Sequence, residues 1–137
     1  MRRLVLLPVL ALLTAGCGWP FGFGATAPEG LASEMTAQVP RWQQEENLPA
    51  VALPGAHLFA VAGCTACHTY DGSGGANLGA PDLTAIGTHD LGIDFEIRHL
   101  QCPSCVNPGS PMPRFASLGS EKLRQLAIFL EASMGTR

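Results

Sequence analysis

Apolar residues recur along the chain in distinct patterns, and each predicts a different element. Residues 4–15, "LVLLPVLALLTA", are apolar with almost no interruption and follow Arg2 and Arg3. Further on, Leu58, Val61 and Ala62 fall at helical spacing behind Pro54, a residue suited to a first helical turn. A short helix running into Cys64 is therefore predicted. In "IDFEIRHL", Ile93, Ile97 and Leu100 stand at i, i+4 and i+7 and predict another short helix, ended by Pro103. The clearest element is "SEKLRQLAIFLEASMG", where Leu123, Leu126, Ala127 and Leu130 share one face. Ser120 is its candidate N-cap, Glu121 sits in the positive first turn, and Gly135 is its expected stop. Turn formers dominate residues 71–88 and 107–115, and no segment alternates as a strand. The expected fold class is all-α, with about three to four short helices and long loops.

The first apolar run has the make-up of a signal peptide over residues 1–16: a positive start, an apolar centre and small residues at the end. It is too short for a membrane-spanning helix, which takes ~20 apolar residues, and Pro8 interrupts it. "TAGC" sets Cys17 directly after Ala15 and Gly16. This resembles the bacterial lipoprotein signal, in which the cysteine is lipidated and becomes the mature N-terminus, although Thr14 stands where leucine is usual. An uncleaved signal-anchor, or ordinary cleavage that leaves a spare thiol, are the other readings. All of them put the remaining chain on the extracytoplasmic or periplasmic face, where disulfides persist. Residues 17–53 show no sustained period and are rich in Gly, Pro and Ala, as expected of a lipid-anchored tether. Trp42 belongs either to that tether or to the surface of the compact domain, expected over residues 54–137.

Composition narrows the picture. The 137 residues are 47% hydrophobic and 14% charged, with a formal net charge of −3. Lys and Arg nowhere cluster, which argues against nucleic acid as a partner. A domain of roughly 80 residues with long loops buries little side-chain surface and usually needs a metal, a cofactor or disulfides. The cysteines indicate which.

"CTACH" places Cys64, Cys67 and His68 in the C-x-x-C-H pattern for covalent attachment of c-type haem. Its two thiols can add to the haem vinyl groups as thioethers, and the histidine then reaches the iron from one face. A redox dithiol would need a surrounding βαβ pattern, which is absent. A four-cysteine zinc site shared with Cys102 and Cys105 would leave 34 residues (68 to 101) between the pairs, against ~15–20 in such sites.

Behind this motif the chain resembles the class I cytochromes c, especially bacterial single-haem domains, over roughly residues 54–133. "GAHLF" before the motif is similar to the family's first helix. "GAPDLTAIG" is similar to the loop in which a proline carbonyl, here Pro81, accepts a hydrogen bond from the haem histidine. "PGSPMPRF" is similar to the methionine loop, which implies that Met112 is the sixth iron ligand. "LGSEKLRQLAIFL" is similar to the C-terminal helix, with Phe129 packed on Gly55. Met1 and Met35 fall outside the expected domain, and Met134 follows its last helix. Of the other histidines, His57 and His99 are expected to be solvated, and His89 is a candidate partner for a haem propionate.

The loop before Met112 follows the family's proline and glycine positions, except that it carries Cys102 and Cys105. Cys105 is followed by Val106, so this is not a second haem site. The pair is expected to form a disulfide that staples the methionine loop, with a redox-active pair as the sharper alternative. With both axial positions filled and no nucleophile–base arrangement, the resemblance implies an electron carrier rather than an enzyme. One covalent haem c would pass electrons between respiratory partners, such as an oxidase, a dehydrogenase or a respiratory complex. The alternative is a haem-bearing subunit of such a complex.

Overall fold

Two helices can approach closely only where one lacks a side chain, and Gly55 supplies that gap. The computed structural model describes residues 29–136; the expected signal peptide and Cys17 lie outside the described residues. Among the described residues the helices are α1 (Glu29–Thr36), α2 (Val39–Glu45), α3 (Leu53–Val61), α4 (Ile93–Gln101), α5 (Pro103–Val106) and α6 (Ser120–Ala132). α6 packs across α3 and α4. At the α3–α6 crossing, a Cβ on Gly55 would overlap the Gln125 carbonyl and lie 2.6 Å from the Phe129 Cβ. The fold is all-α and cytochrome c-like, with one minimal antiparallel pair: β1 (Thr69–Tyr70) against β2 (Ser73–Gly74), in the register Thr69↔Gly74 and Tyr70↔Ser73.

The packed unit begins earlier than residue 54. α1 and α2 occupy part of the segment expected to be a tether, and Met35, Val39, Trp42, Leu48 and Ala52 are all buried in the main core. Trp42 has no exposed surface. Its ring lies 5.1 Å from Tyr70 and 6.1 Å from Phe59, and Tyr70 in turn lies 4.8 Å from Phe129. This aromatic stack joins α2, α3, β1 and α6, each ring contributing burial and an edge or tilted contact. No sustained period marks the segment, because α1 and α2 are short and show only a few core-facing residues each.

Two polar links seal the stack. The Ser133 hydroxyl donates to the Phe129 carbonyl at 2.7 Å, so the Tyr70 hydroxyl donates to Ser133 across 3.0 Å. Burial, above all, pushes the Tyr70 hydroxyl up to about 12. The Thr136 amide donates to Glu46 Oε2 at 2.9 Å, tying the C-terminal tail to the end of α2.

Several element boundaries differ from the sequence-based expectation. α3 stops at Val61, and Cys64–Ala66 form a separate 3-10 turn. α6 begins at Ser120 with Gly119 in the cap position, so the Ser120 side chain makes no capping hydrogen bond. The same helix ends at Ala132, short of Gly135, where Ser133 leaves the helical conformation and its side chain turns back to Phe129. α4 does end before Pro103, and that proline opens α5, since its missing N–H is harmless in a first turn. Leu123, Leu126, Ala127 and Leu130 are buried along α6. Among the described residues no helix is long and apolar enough to cross a membrane.

Candidate functional site

The local fold around "CTACH" starts from a glycine. Gly63 adopts φ 82°, a left-handed conformation open to glycine without steric cost. It breaks α3 and turns the next residues into the 3-10 turn, closed by amides of Cys67 and His68 that donate to the Cys64 carbonyl at 3.2 and 2.9 Å. Cys64, Cys67 and His68 all line one cavity of about 460 Å³, in the ~300–1,000 Å³ range of cofactor sites.

Pro81 and Met112 line the same cavity. The His68 ring donates from Nδ1 to the Pro81 carbonyl at 2.9 Å. That bond fixes the tautomer, leaving Nε2 with the lone pair and making it the better donor. Met112 sits half-buried against the core between Pro111 and Pro113, and its amide donates to the Ser110 hydroxyl at 3.3 Å. Apolar side chains, among them Phe59, Leu83, Leu100 and Leu126, make up much of the remaining wall. Leu78 and Leu91 stand exposed at the cavity.

The four cysteines of the two C-x-x-C pairs do not meet. Cys102 and Cys105 are bonded to each other, with Cα atoms 5.2 Å apart, while Cys64 and Cys67 take part in no disulfide. Burial, above all, pushes the Cys64 thiol up to about 12. Among the described residues no three His, Cys, Asp or Glu side chains group as a metal site.

Other candidates move. His57 and His89 are exposed, and neither lines the cavity. His99, expected to be solvated, is half-buried and lines it. Burial holds the His99 imidazole below its ordinary value, with the nearby His68 adding to the effect. Met35, expected outside the domain, is a core residue of α1. Met134 is exposed beyond α6.

Glu96 is the residue that pattern reading missed. It is 5% exposed, lines the cavity, and has its carboxyl pushed up to about 7, chiefly by burial and then by the charge of Glu131. A signal for it existed. Glu96 stands three residues after Ile93 and four before Leu100, on the stripe that α4 turns inward.

The fold and the cavity therefore define a small all-α, cytochrome c-like domain with a slot whose wall carries two thiols, an oriented imidazole and a thioether. Two curated proteins are similar to it in sequence. The cbb3-type cytochrome c oxidase subunit FixPc of Rhizobium leguminosarum bv. viciae is 37% identical over 89 residues, 64% of this chain and 29% of that protein. The cbb3-type cytochrome c oxidase subunit FixP of Rhizobium meliloti (strain 1021) is 32% identical over 117 residues, 85% of this chain and 38% of that protein. The chain thus spans about a third of the length of these relatives. No family model and no solved structure matches it.

Proposed function

We propose that this chain is a single-haem c-type cytochrome that carries one electron at a time between redox proteins. Cys64 and Cys67 would hold the haem as thioethers, with His68 and Met112 as axial ligands of its iron. The observation that carries this reading is the convergence of those side chains on one largely apolar cavity, together with the His68–Pro81 hydrogen bond. The iron would supply the one-electron couple, and methionine ligation raises its potential relative to two histidines. For its part, the chain excludes water with Phe59, Leu100 and Leu126, orients the imidazole through Pro81, and restrains Met112 between two prolines. With both axial positions taken, no place remains for a substrate, so the chain would not be an enzyme by itself.

In this reading Cys17 anchors the protein by a lipid at the extracytoplasmic face, and the Cys102–Cys105 bond staples the methionine loop. The similarity to oxidase subunits favours a second version, in which the chain is a haem-bearing subunit of an oxidase or another respiratory complex.

The test is the ferric absorption spectrum of the haem-loaded chain. A low-spin iron with the weak methionine-sulfur-to-iron charge-transfer band is expected. A high-spin spectrum that shifts on adding cyanide would overturn the assignment of Met112 and, with it, the carrier role. Purification from the native membrane separates the two versions: a monodisperse monomer favours the shuttle, and a stable complex with haem proteins favours the subunit.

A further inference from the structure

Arg41, on α2, reaches the segment that follows His68. Its Nη1 donates to Asp71 Oδ2 at 2.6 Å, and its Nη2 donates to the Asp71 carbonyl at 3.0 Å and to the Ser73 hydroxyl oxygen at 2.7 Å. The Trp42 indole N–H adds a bond to the same Ser73 oxygen at 3.3 Å. The carboxylate side chain of Asp71 has no exposed surface. A planar guanidinium that grips a buried carboxylate and a backbone carbonyl together fixes orientation as well as charge.

What it grips is the turn between β1 and β2, and β1 starts at the residue after His68. On its other side, β1 is bonded to the segment that follows Pro81. The Leu83 amide donates to the Thr69 carbonyl at 2.9 Å, and the Asp71 amide donates to Thr84 Oγ1 at 2.8 Å. Thr84 in turn donates to Asp82 Oδ1, from its amide at 2.8 Å and its hydroxyl at 2.5 Å. The ring of His68 and the carbonyl of Pro81 therefore hang from the same small ladder, and Arg41 holds its far end.

We propose that Arg41 is a positioning residue for His68, acting through Asp71, Ser73 and Thr84 on the loop that brings the Pro81 carbonyl to the imidazole. The inference rests on the haem reading above. The Nδ1–H bond raises the donor strength of the ring, and stronger donation stabilises ferric iron. Loosening the ladder lengthens that bond and raises the reduction potential. A purely electrostatic role predicts the reverse: removing a positive charge beside a buried carboxylate lowers the potential. Geometry and charge thus give opposite signs.

The test compares haem-loaded full-length wild type with Arg41→Lys, Arg41→Ala, Ser73→Ala and, as a control, Glu45→Gln. Glu45 pairs with Arg41 one turn along α2, at 3.2 Å, within the N-terminal helix itself. Mass spectrometry counts covalent haem, redox titration gives the potential, and proton NMR of the ferrous protein follows exchange of the His68 ring N–H. Arg41→Lys, which keeps the charge and loses the fork, is expected to raise the potential and to speed ring N–H exchange several-fold. Ser73→Ala should move both in the same direction by less, and Glu45→Gln should move neither. Arg41→Lys and Ser73→Ala keep the question open to measurement even where Arg41→Ala does not fold. Loaded variants with wild-type potential and exchange overturn the positioning role alone, as does a fall in potential in Arg41→Ala with no change in Arg41→Lys. A wild-type chain that takes up no covalent haem overturns both this role and the reading beneath it.

Discussion

The two walls that would present the axial groups are built by different means. Around His68, secondary structure and polar side chains do the holding: the Gly63 turn, the β1–β2 pair, Arg41 on Asp71, and the Pro81 carbonyl on the ring. Around Met112 almost no backbone pairing exists. The loop from Asn107 to Phe115 is bonded at its ends, where the Asn107 amide reaches the Pro103 carbonyl at 2.8 Å and the Phe115 amide reaches the Leu100 carbonyl at 2.9 Å, and by one turn inside it, the Ser110 amide on the Asn107 carbonyl at 3.0 Å. Between those ends Pro108, Pro111 and Pro113 remove donors and fix φ, and the Cys102–Cys105 bond sits just upstream. One wall is restrained by the folded state, the other by limits on the chain that also act in the unfolded state. Their responses to substitution should differ accordingly.

The largest effect is expected at the base of the His68 wall. Trp42→Ala empties the α2 end of the aromatic stack and should cost about 3–5 kcal/mol, read as a lowered urea midpoint. An unchanged midpoint would break the claim that α2 belongs to this wall.

Next comes Glu96, which faces the cavity between the walls. Burial, and then the charge of Glu131, push its carboxyl from the ordinary 4.5 up to about 7 in the folded chain. Between those values the folded state keeps a proton that the unfolded chain has lost, so stability should decline as pH rises through this window and level off above it. Glu96→Gln should flatten that slope and be more stable than wild type on the alkaline side by about 1–3 kcal/mol. Denaturation midpoints across a pH series check the sign.

On the Met112 wall, Cys102→Ser with Cys105→Ser should cost about 2 kcal/mol. Its spectroscopic mark should fall on methionine ligation, as a weakened sulfur-to-iron band, with the His68 ring N–H unchanged. Arg41→Lys should give the converse, and two variants that shift the same signal would erase the distinction between the walls. The smallest effect is expected for Ser110→Ala, which removes the acceptor of the Met112 amide and should cost about 0.5–1 kcal/mol in chemical denaturation.

Much of this molecule is legible in sequence where the signal is local. The "CTACH" spacing, the turn-rich loops and the inward face of α6 each lie within a few residues, and the structure places Cys64, Cys67, His68 and Met112 at one cavity. The inward position of Glu96 was equally local; a charged residue on an apolar stripe is simply easy to assign to solvent. The N-terminal helices were not legible. α1 and α2 span 8 and 7 residues, too few to establish a helical period before their contacts are known.

By itself, then, the sequence determined the all-α class, the thiol–imidazole motif, the order of the later loops and the face of the last helix, because period and spacing are written between near neighbours. Only the tertiary structure decided that the domain takes in α1 and α2, that Trp42 completes the core, that His99 and Glu96 face the cavity, and that Arg41 meets Asp71. Those contacts join positions such as 41 and 71, which are 30 residues apart. No local preference encodes such a pair. It forms when burial of the aromatic stack brings α2 against β1 and leaves the Asp71 carboxylate in need of a partner.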